Sequence, residues 1–343
     1  MKSFLLFNNK GGAGKTTLVF NLAHMLARQG RRVVVIDYDP QCNITAIFLE
    51  DEELAEIWDA PAAQGRTVFA CLDPVRIGNG DMRSPRLHQA DDNLWLLPGN
   101  MELSRFEQTL AEEWPKKFAV DNERALNVTA ALDQLSNLAA AEANADFVLF
   151  DVGPSLGALN RSALLSSDAV IMPIAPDLFS VRGLRNVGPA FRDWRKEWRQ
   201  TCDSHMKGRV QAGWPRHGFQ PIGYIVQQHI ARADRPVKAY RDWLKTIPGE
   251  YHEAILSEKR IESELAYEQD RECLGMLRHF ASLAPYAQMA RKPMFDLKTA
   301  DGVGGGQLLA VSKSHEEFRK LADRIVERLD RLPDLSVKPM KEK

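Results

Sequence analysis

The stretch Lys10-Gly11-Gly12-Ala13-Gly14-Lys15-Thr16-Thr17 follows closely on an apolar run, Phe4-Leu5-Leu6-Phe7. Behind it Leu18, Leu22, Met25 and Leu26 recur at helical spacing, so the segment reads as strand, glycine turn and helix. Glycines at 11, 12 and 14 permit positive φ angles and let the backbone close on a bulky anion. In the general phosphate-loop pattern G-x-x-x-x-G-K-[ST], backbone N–H groups cradle phosphate oxygens, and this loop is a tighter variant with a lysine at each end. The helix points its partially positive N-terminus at that anion. Lys15 is placed to reach the β- and γ-phosphates and the Thr16 hydroxyl to ligate Mg²⁺. The stretch predicts a nucleoside triphosphate site; its plain alternative is an ordinary glycine turn.

Two further apolar strands end in carboxylates. Val33-Val34-Val35-Ile36 reads as a fully buried parallel strand and runs into Asp37-Tyr38-Asp39-Pro40-Gln41-Cys42-Asn43. Acids at such a strand end, beside a phosphate loop, lie in the crevice where α/β folds bind ligands. Two tasks exist there: holding the water shell of Mg²⁺ and orienting the water that attacks the γ-phosphate. Asp146-Phe147-Val148-Leu149-Phe150-Asp151 is the second case, an apolar strand ending in an aspartate that holds Mg²⁺ through its water shell. A capping turn with solvated acids is the bland alternative for the first segment, and a helix N-cap for the second.

Together these motifs resemble the ParA/MinD family of P-loop ATPases. K-G-G-x-G-K-T-T is similar to that family's deviant Walker A motif, whose first lysine crosses a dimer interface to the partner's nucleotide; the resemblance gives that role to Lys10. Asp37–Asn43 resembles the D-x-D-P-Q-x-N first switch, implying that Asp39 positions the attacking water and that Asp37 supports the metal shell or the loop. Asp151-Val152-Gly153-Pro154-Ser155-Leu156 resembles D-x-P-P-S-L, with Gly153 replacing the first proline. Asp168–Leu184 resembles the segment that precedes a helix at the family's dimer interface. After the strand Pro221–Val226, the loop that helps hold adenine in relatives carries Gln227 and Gln228, whose amides suit a purine edge. The resemblance covers roughly residues 3–60 and 94–235. It implies an α/β fold with a mostly parallel twisted sheet flanked by helices, a P-loop NTPase of the SIMIBI type. It also implies ATP and Mg²⁺ as cofactors, with Thr16, Asp37 and Asp151 around the metal, and an ATP-bridged homodimer.

Composition sets outer bounds. With 343 residues, 44% hydrophobic and 27% charged, the chain reads as a soluble globular protein. No apolar run approaches the roughly 20 residues that span a bilayer, and the first strand begins too early to leave room for a signal peptide or a helix-turn-helix. Cys42, Cys71, Cys202 and Cys273 show no paired spacing, which argues against a zinc site or a disulfide framework and fits a reducing cytoplasm. We expect one ATPase domain over 1–335, with excursions at about 60–92 and 200–220 and a charged tail at 336–343. Residues 50–60 are acidic and read as a solvated helix face. Helices are expected from Leu103 to Leu110, from Glu123 to Ala143 (core face Leu126, Ala130, Leu132, Leu135, Leu138) and from His315 to Arg331. Asp301–Gly306 reads as a flexible loop. The final helix binds membrane in MinD-type relatives, but this tail lacks an apolar face, so no membrane anchor is expected.

Residues 182–245 hold 14 lysines and arginines against 5 acids, although the whole chain is at −1. Arg192, Arg195, Lys196 and Arg199 fall on one helix face, with Arg182 and Arg185 before them and Trp194 and Trp198 interleaved. Such a face suits phosphate backbones without base readout, and partition relatives bind DNA nonspecifically as ATP-bound dimers. The alternative is a solvated face whose arginines pair within the chain, with the tryptophans as core anchors. The expected function is a nucleotide-dependent switch in DNA segregation or cargo positioning, with a partner protein stimulating slow hydrolysis. A switch without DNA, for flagellar placement or phage defence, and a metallocofactor-handling ATPase are the alternatives.

Overall fold

The computed structural model describes residues 1–12, 14–118, 122–205, 218–228, 237–258, 266–278, 280 and 282–333. In chain order the regular elements are β1 (Lys2–Leu6), α1 (Lys15–Arg28), β2 (Val33–Asp37), α2 (Asn43–Phe48), α3 (Asp51–Asp59), α4 (Val68–Ile77), β3 (His88–Asp91) and β4 (Leu94–Leu97). Then come α5 (Leu103–Glu113), α6 (Glu123–Ala143), β5 (Phe147–Asp151), α7 (Ala158–Leu165), β6 (Ala169–Ile174), α8 (Leu178–His205), β7 (Gln220–Gln228) and α9 (Val237–Glu250). A π-helical turn (Tyr251–Leu256), β8 (Cys273–Arg278), α10 (Ala284–Ala290) and α11 (Gly306–Asp330) complete it.

The strands form one eight-stranded sheet in the order β3-β4-β2-β5-β1-β6-β7-β8. Every pairing is parallel except that of β3 with β4. Helices cover both faces, so the central strands have no polar side. Phe4 and Leu6 of β1 enter the core beneath α1 and α11, while Leu5 and Phe7 enter the opposite core beneath α5 to α8. Val33/Val35 and Val34/Ile36 of β2 divide in the same way. Period-2 geometry on a sheet buried on both faces makes an unbroken apolar run. Parallel register then sets Asp37 level with Asp151, so both acids reach the same C-terminal edge as the glycine loop after β1. That edge, where connections leave β1 in opposite directions, is the ligand crevice of open α/β sheets.

Several expectations hold. α6 has the expected bounds, and α5 buries Leu103, Phe106 and Leu110. α3 buries only Ile57, leaving its acids in solvent. Others need correction. Leu138 is 40% exposed and belongs to no core. α11 starts at Gly306, nine residues before the expected His315, so the last of the glycines opens a helix. A strand, β8, occupies residues where no element was expected: Cys-Leu-Gly-Met-Leu-Arg has no β-branched residue and sits on the sheet edge, partly exposed. The 60–92 excursion is α4 and the antiparallel β3, and α8 runs on to His205. Most of the second excursion and the charged tail lie outside the described residues. No described helix is long and apolar enough to cross a membrane.

The assignment of the central core is testable. Leu149 of β5 is fully buried, so Leu149→Ala should cost about 2–5 kcal/mol in urea denaturation. Leu138→Ala should stay within about 0.5 kcal/mol of the parent.

Candidate nucleotide site

At the end of β1 the chain turns through Gly12 (φ +70°) and Gly14 (φ +65°), both in the left-handed region that side chains disfavour. A Cβ at Gly11 or Gly12 would meet nothing within 4 Å, so the loop faces open space. Ala13 lies outside the described residues. The N-terminus of α1 has no side-chain cap and no acid in its first turn. Its free N–H groups and dipole therefore favour an anion. Lys15, only 7% exposed, donates from Nζ to the Asn8 carbonyl at 3.1 Å. Burial lowers its pKa, and the charges of Asp151 and Asp39 oppose that shift. Gly11, Gly12, Gly14, Lys15, Thr16 and Thr17 share a cleft of about 450 Å³ with Asp39, Gln41, Asn43, Val152 and Pro154.

The three aspartates differ in their bonding. Asp37 is fully buried: Oδ2 accepts from the Thr45 hydroxyl at 2.5 Å and the Thr45 N–H at 3.1 Å, and Oδ1 accepts from the Asp39 N–H. Thr45 Oγ1 in turn accepts from the Gly99 N–H at 2.9 Å. A Cβ on Gly99 would stand 2.9 Å from the Asp37 carboxylate, so only glycine fits. Burial pushes the Asp37 pKa up to about 7. Its oxygens are committed to the loop, which favours loop support over the metal shell. Asp39 is 8% exposed and lies in the cleft, with one oxygen accepting from the Gln41 N–H. Asp151 is 1% exposed, and neither carboxylate oxygen has a hydrogen-bond partner of normal geometry. Burial, then the charge of Asp37, raises its pKa well above the usual range; neighbouring Thr16 and Lys15 act the other way. A buried carboxylate whose neighbours are a threonine hydroxyl and a lysine ammonium, at the edge of an open cleft, fits a hydrated divalent cation. Thr16 and Asp151 are the residues that could hold it.

Lys10 does not reach outward. Its Nζ donates to Asp177 Oδ2 at 2.7 Å, and its N–H donates to Asn8 Oδ1. Gln227 stands beside the loop, its Nε2 3.5 Å from a Cβ built on Gly14; the Gln228 side chain lies outside the described residues. Asn8, Thr45, Gly99 and Asp177 were not singled out in the sequence. Only Asn8, at the mouth of the glycine loop, had a signal there; the others come from distant segments.

The basic helix is divided. Arg192, Arg195, Lys196 and Arg199 do line one groove on α8. However, Arg185 is gripped by Glu250 through two bonds of 2.5 and 2.7 Å. Arg192 donates to the Ala254 carbonyl and the Ser257 hydroxyl, and the half-buried Arg195 donates to Gln220. Arg182, Lys196 and Arg199 are exposed. Trp198 is buried and stacked on Trp114, as a core anchor. The groove starts fourteen residues beyond the helix's first residue, about 20 Å along the axis.

Asp151→Asn removes a buried carboxyl whose ionisation burial and Asp37 disfavour. In metal-free buffer the variant should melt about 3 °C above the parent. Mg²⁺ with nucleotide should stabilise the parent and not the variant. A variant melting below the parent without metal would show that the apo fold needs the carboxylate.

The family described as AAA domain, AAA_31, matches residues 1–203. An uncharacterized protein of Pseudomonas putida is 33% identical over 186 residues, which is 54% of this chain and 60% of that protein. The sporulation initiation inhibitor protein Soj of Bacillus subtilis is 28% identical over 184 residues, 53% of this chain and 62% of Soj. The matches thus span about three fifths of the length of these curated relatives. The crystal structure of protein DIP2308 from Corynebacterium diphtheriae superimposes with a TM-score of 0.68 at 26% identity, covering 96% of this chain and 99% of that one. With its sheet order and glycine loop already described, the chain belongs to this AAA domain family, of the ParA/MinD P-loop type.

Proposed function

We propose that this chain is a ParA-like ATPase that forms an ATP-bridged homodimer and serves as a nucleotide-dependent switch in DNA segregation or cargo positioning. The observation that carries this reading is the convergence of buried Lys15, Thr16, the uncapped α1 N-terminus and Asp39 on one cleft, with the buried Asp151 behind it close enough for Thr16 and Lys15 to act on its charge. Gly11 to Thr17 bind the phosphates through backbone N–H groups, with Lys15 leaving the Asn8 carbonyl for the β- and γ-oxygens. Mg²⁺, when bound, neutralises charge on the transferring phosphoryl group. Thr16 and Asp151 hold that ion, partly through water, and Asp37 fixes the loop behind them. Asp39 accepts a hydrogen bond from the attacking water and aligns it. Lys10 of each subunit reaches the partner's nucleotide, and hydrolysis releases the pair. Gln227 borders the base. The domain spans about 1–335, works in the cytoplasm and depends on a stimulating partner protein.

Nonspecific DNA binding through the groove that Lys196 and Arg199 line, with the exposed Arg182 nearer the start of α8, is part of the reading. A second reading, a switch without DNA, draws support from the intrachain bonds of Arg185, Arg192 and Arg195. DNA binding by the ATP-loaded protein at low salt, lost steeply as salt rises, supports the first; no binding at low salt supports the second. The relative Soj of Bacillus subtilis is a sporulation initiation inhibitor protein, a regulatory role compatible with either.

Lys15→Ala should abolish nucleotide binding, a loss of at least about a hundredfold in affinity. Asp39→Ala should retain ATP and remain dimeric in gel filtration, with turnover reduced about a hundredfold or more. Normal hydrolysis by Asp39→Ala would refute the water-positioning role, and a monomer in every nucleotide state would refute the sandwich.

A further inference from the structure

The lysine expected to cross to a second subunit is already engaged within its own. Lys10 Nζ lies 2.7 Å from Asp177 Oδ2, with side chains 35% and 15% exposed. Asp177 directly precedes α8, and its other oxygen accepts from the Ser180 N–H at 2.9 Å, as an N-cap residue does. Oδ1 caps α8, while Oδ2 holds the lysine and also accepts from the Ser180 hydroxyl at 3.3 Å. Burial pushes the Asp177 pKa up, but Lys10 and Ser180 outweigh it and hold the carboxyl below its usual range.

Neighbouring contacts dock the mouth of the loop on the same place. Asn8 Nδ2 donates to the Pro173 carbonyl at 2.6 Å, and its Oδ1 accepts from the Lys10 N–H at 2.9 Å. Asn9 Oδ1 is 2.6 Å from where a Cβ on Gly183 would stand, so the loop mouth packs on α8 itself. An ammonium in this ion pair is neutralised where it stands. It meets a partner's phosphate only after the pair has opened.

We propose that Asp177 is a positioning residue that latches Lys10 inside its own subunit and so sets the protein concentration at which nucleotide can bridge two copies. This rests on the dimer reading above and deepens it. Release leaves the Asp177 cap intact, because the acid remains favourable at the positive end of α8. A half-exposed ion pair of this kind is worth little enough to be broken by a phosphate and enough to bias an equilibrium several-fold.

The test uses the full chain with Mg²⁺ and a non-hydrolysable ATP analogue, following dimer formation against protein concentration by light scattering. Asp177→Asn keeps the capping oxygen and puts an amide where the lysine was held. It should dimerise at roughly three- to tenfold lower concentration than the parent, while melting no more than about 4 °C below it without nucleotide. In a Lys10→Ala background the same change should give no gain, a dependence that a merely structural role would not produce. Should Asp177→Asn fold poorly, Asp177→Ser keeps a capping hydroxyl without the charge and is read in the same way. An unshifted midpoint, or an equal shift in the Lys10→Ala background, overturns the latch while leaving the dimer standing. A parent that stays monomeric with the analogue overturns the dimer reading, and the latch with it.

Discussion

Burying a carboxylate is costly, and Asp151 is 1% exposed at the end of a central strand. What surrounds it limits that cost. Lys15 lies close enough for its charge to offset part of it, and α1 turns its positive end to the same cleft. Parallel pairing fixes Asp37 level with Asp151, and burial raises both acids together.

Asp37 and Asp151 share a register but not a role. Asp37 is saturated by Thr45 and the Asp39 N–H, and through Thr45 it reaches Gly99. This chain of bonds ties the ends of β2 and β4 to the start of α2, so the segment bearing Asp39 rests on a fixed support. Strain sits in the same loop. Cys42 adopts φ +54° without being glycine, buried with its sulfur 3.1 Å from where a Cβ on Gly99 would stand. A residue held in that region persists only where its surroundings over-determine it.

α8 connects the nucleotide edge to the far side of the molecule. Its first turn is capped by Asp177, which also holds Lys10. Farther along, Gly188 lies so close to the Ala254 carbonyl that any Cβ there would overlap it, and Arg185 and Arg192 clasp the segment from Glu250 to Ser257. The helix is therefore clamped along its length, and much of its positive charge is spent on holding it in place. A charge count along the chain registers fourteen cations equally; it cannot separate those turned inward from those left to solvent.

The central strands, the glycine turn and the fold class were legible in the sequence because each rests on local physics. Alternation across a doubly covered sheet gives continuous apolar runs, and a left-handed turn demands glycine. α6 was legible for its length and regular pattern. β8 was not, because an edge strand without β-branched residues carries no such pattern, and the early start of α11 was hidden by glycines that usually mark loops. Within the candidate site, Lys15, Asp39 and Asp151 could be named from their place after apolar strands. The bonding that distinguishes Asp37 from Asp151, the tie of Asp37 through Thr45 to Gly99, and the pairing of Lys10 with Asp177 could not. The sequence by itself determined which residues reach the C-terminal edge of the sheet, since strand period and turn chemistry act over a few neighbouring positions. Only the tertiary structure decided which of them are saturated, which are unpartnered and which are latched, because those outcomes depend on atoms that lie up to 167 residues away along the chain and meet only when the sheet is assembled.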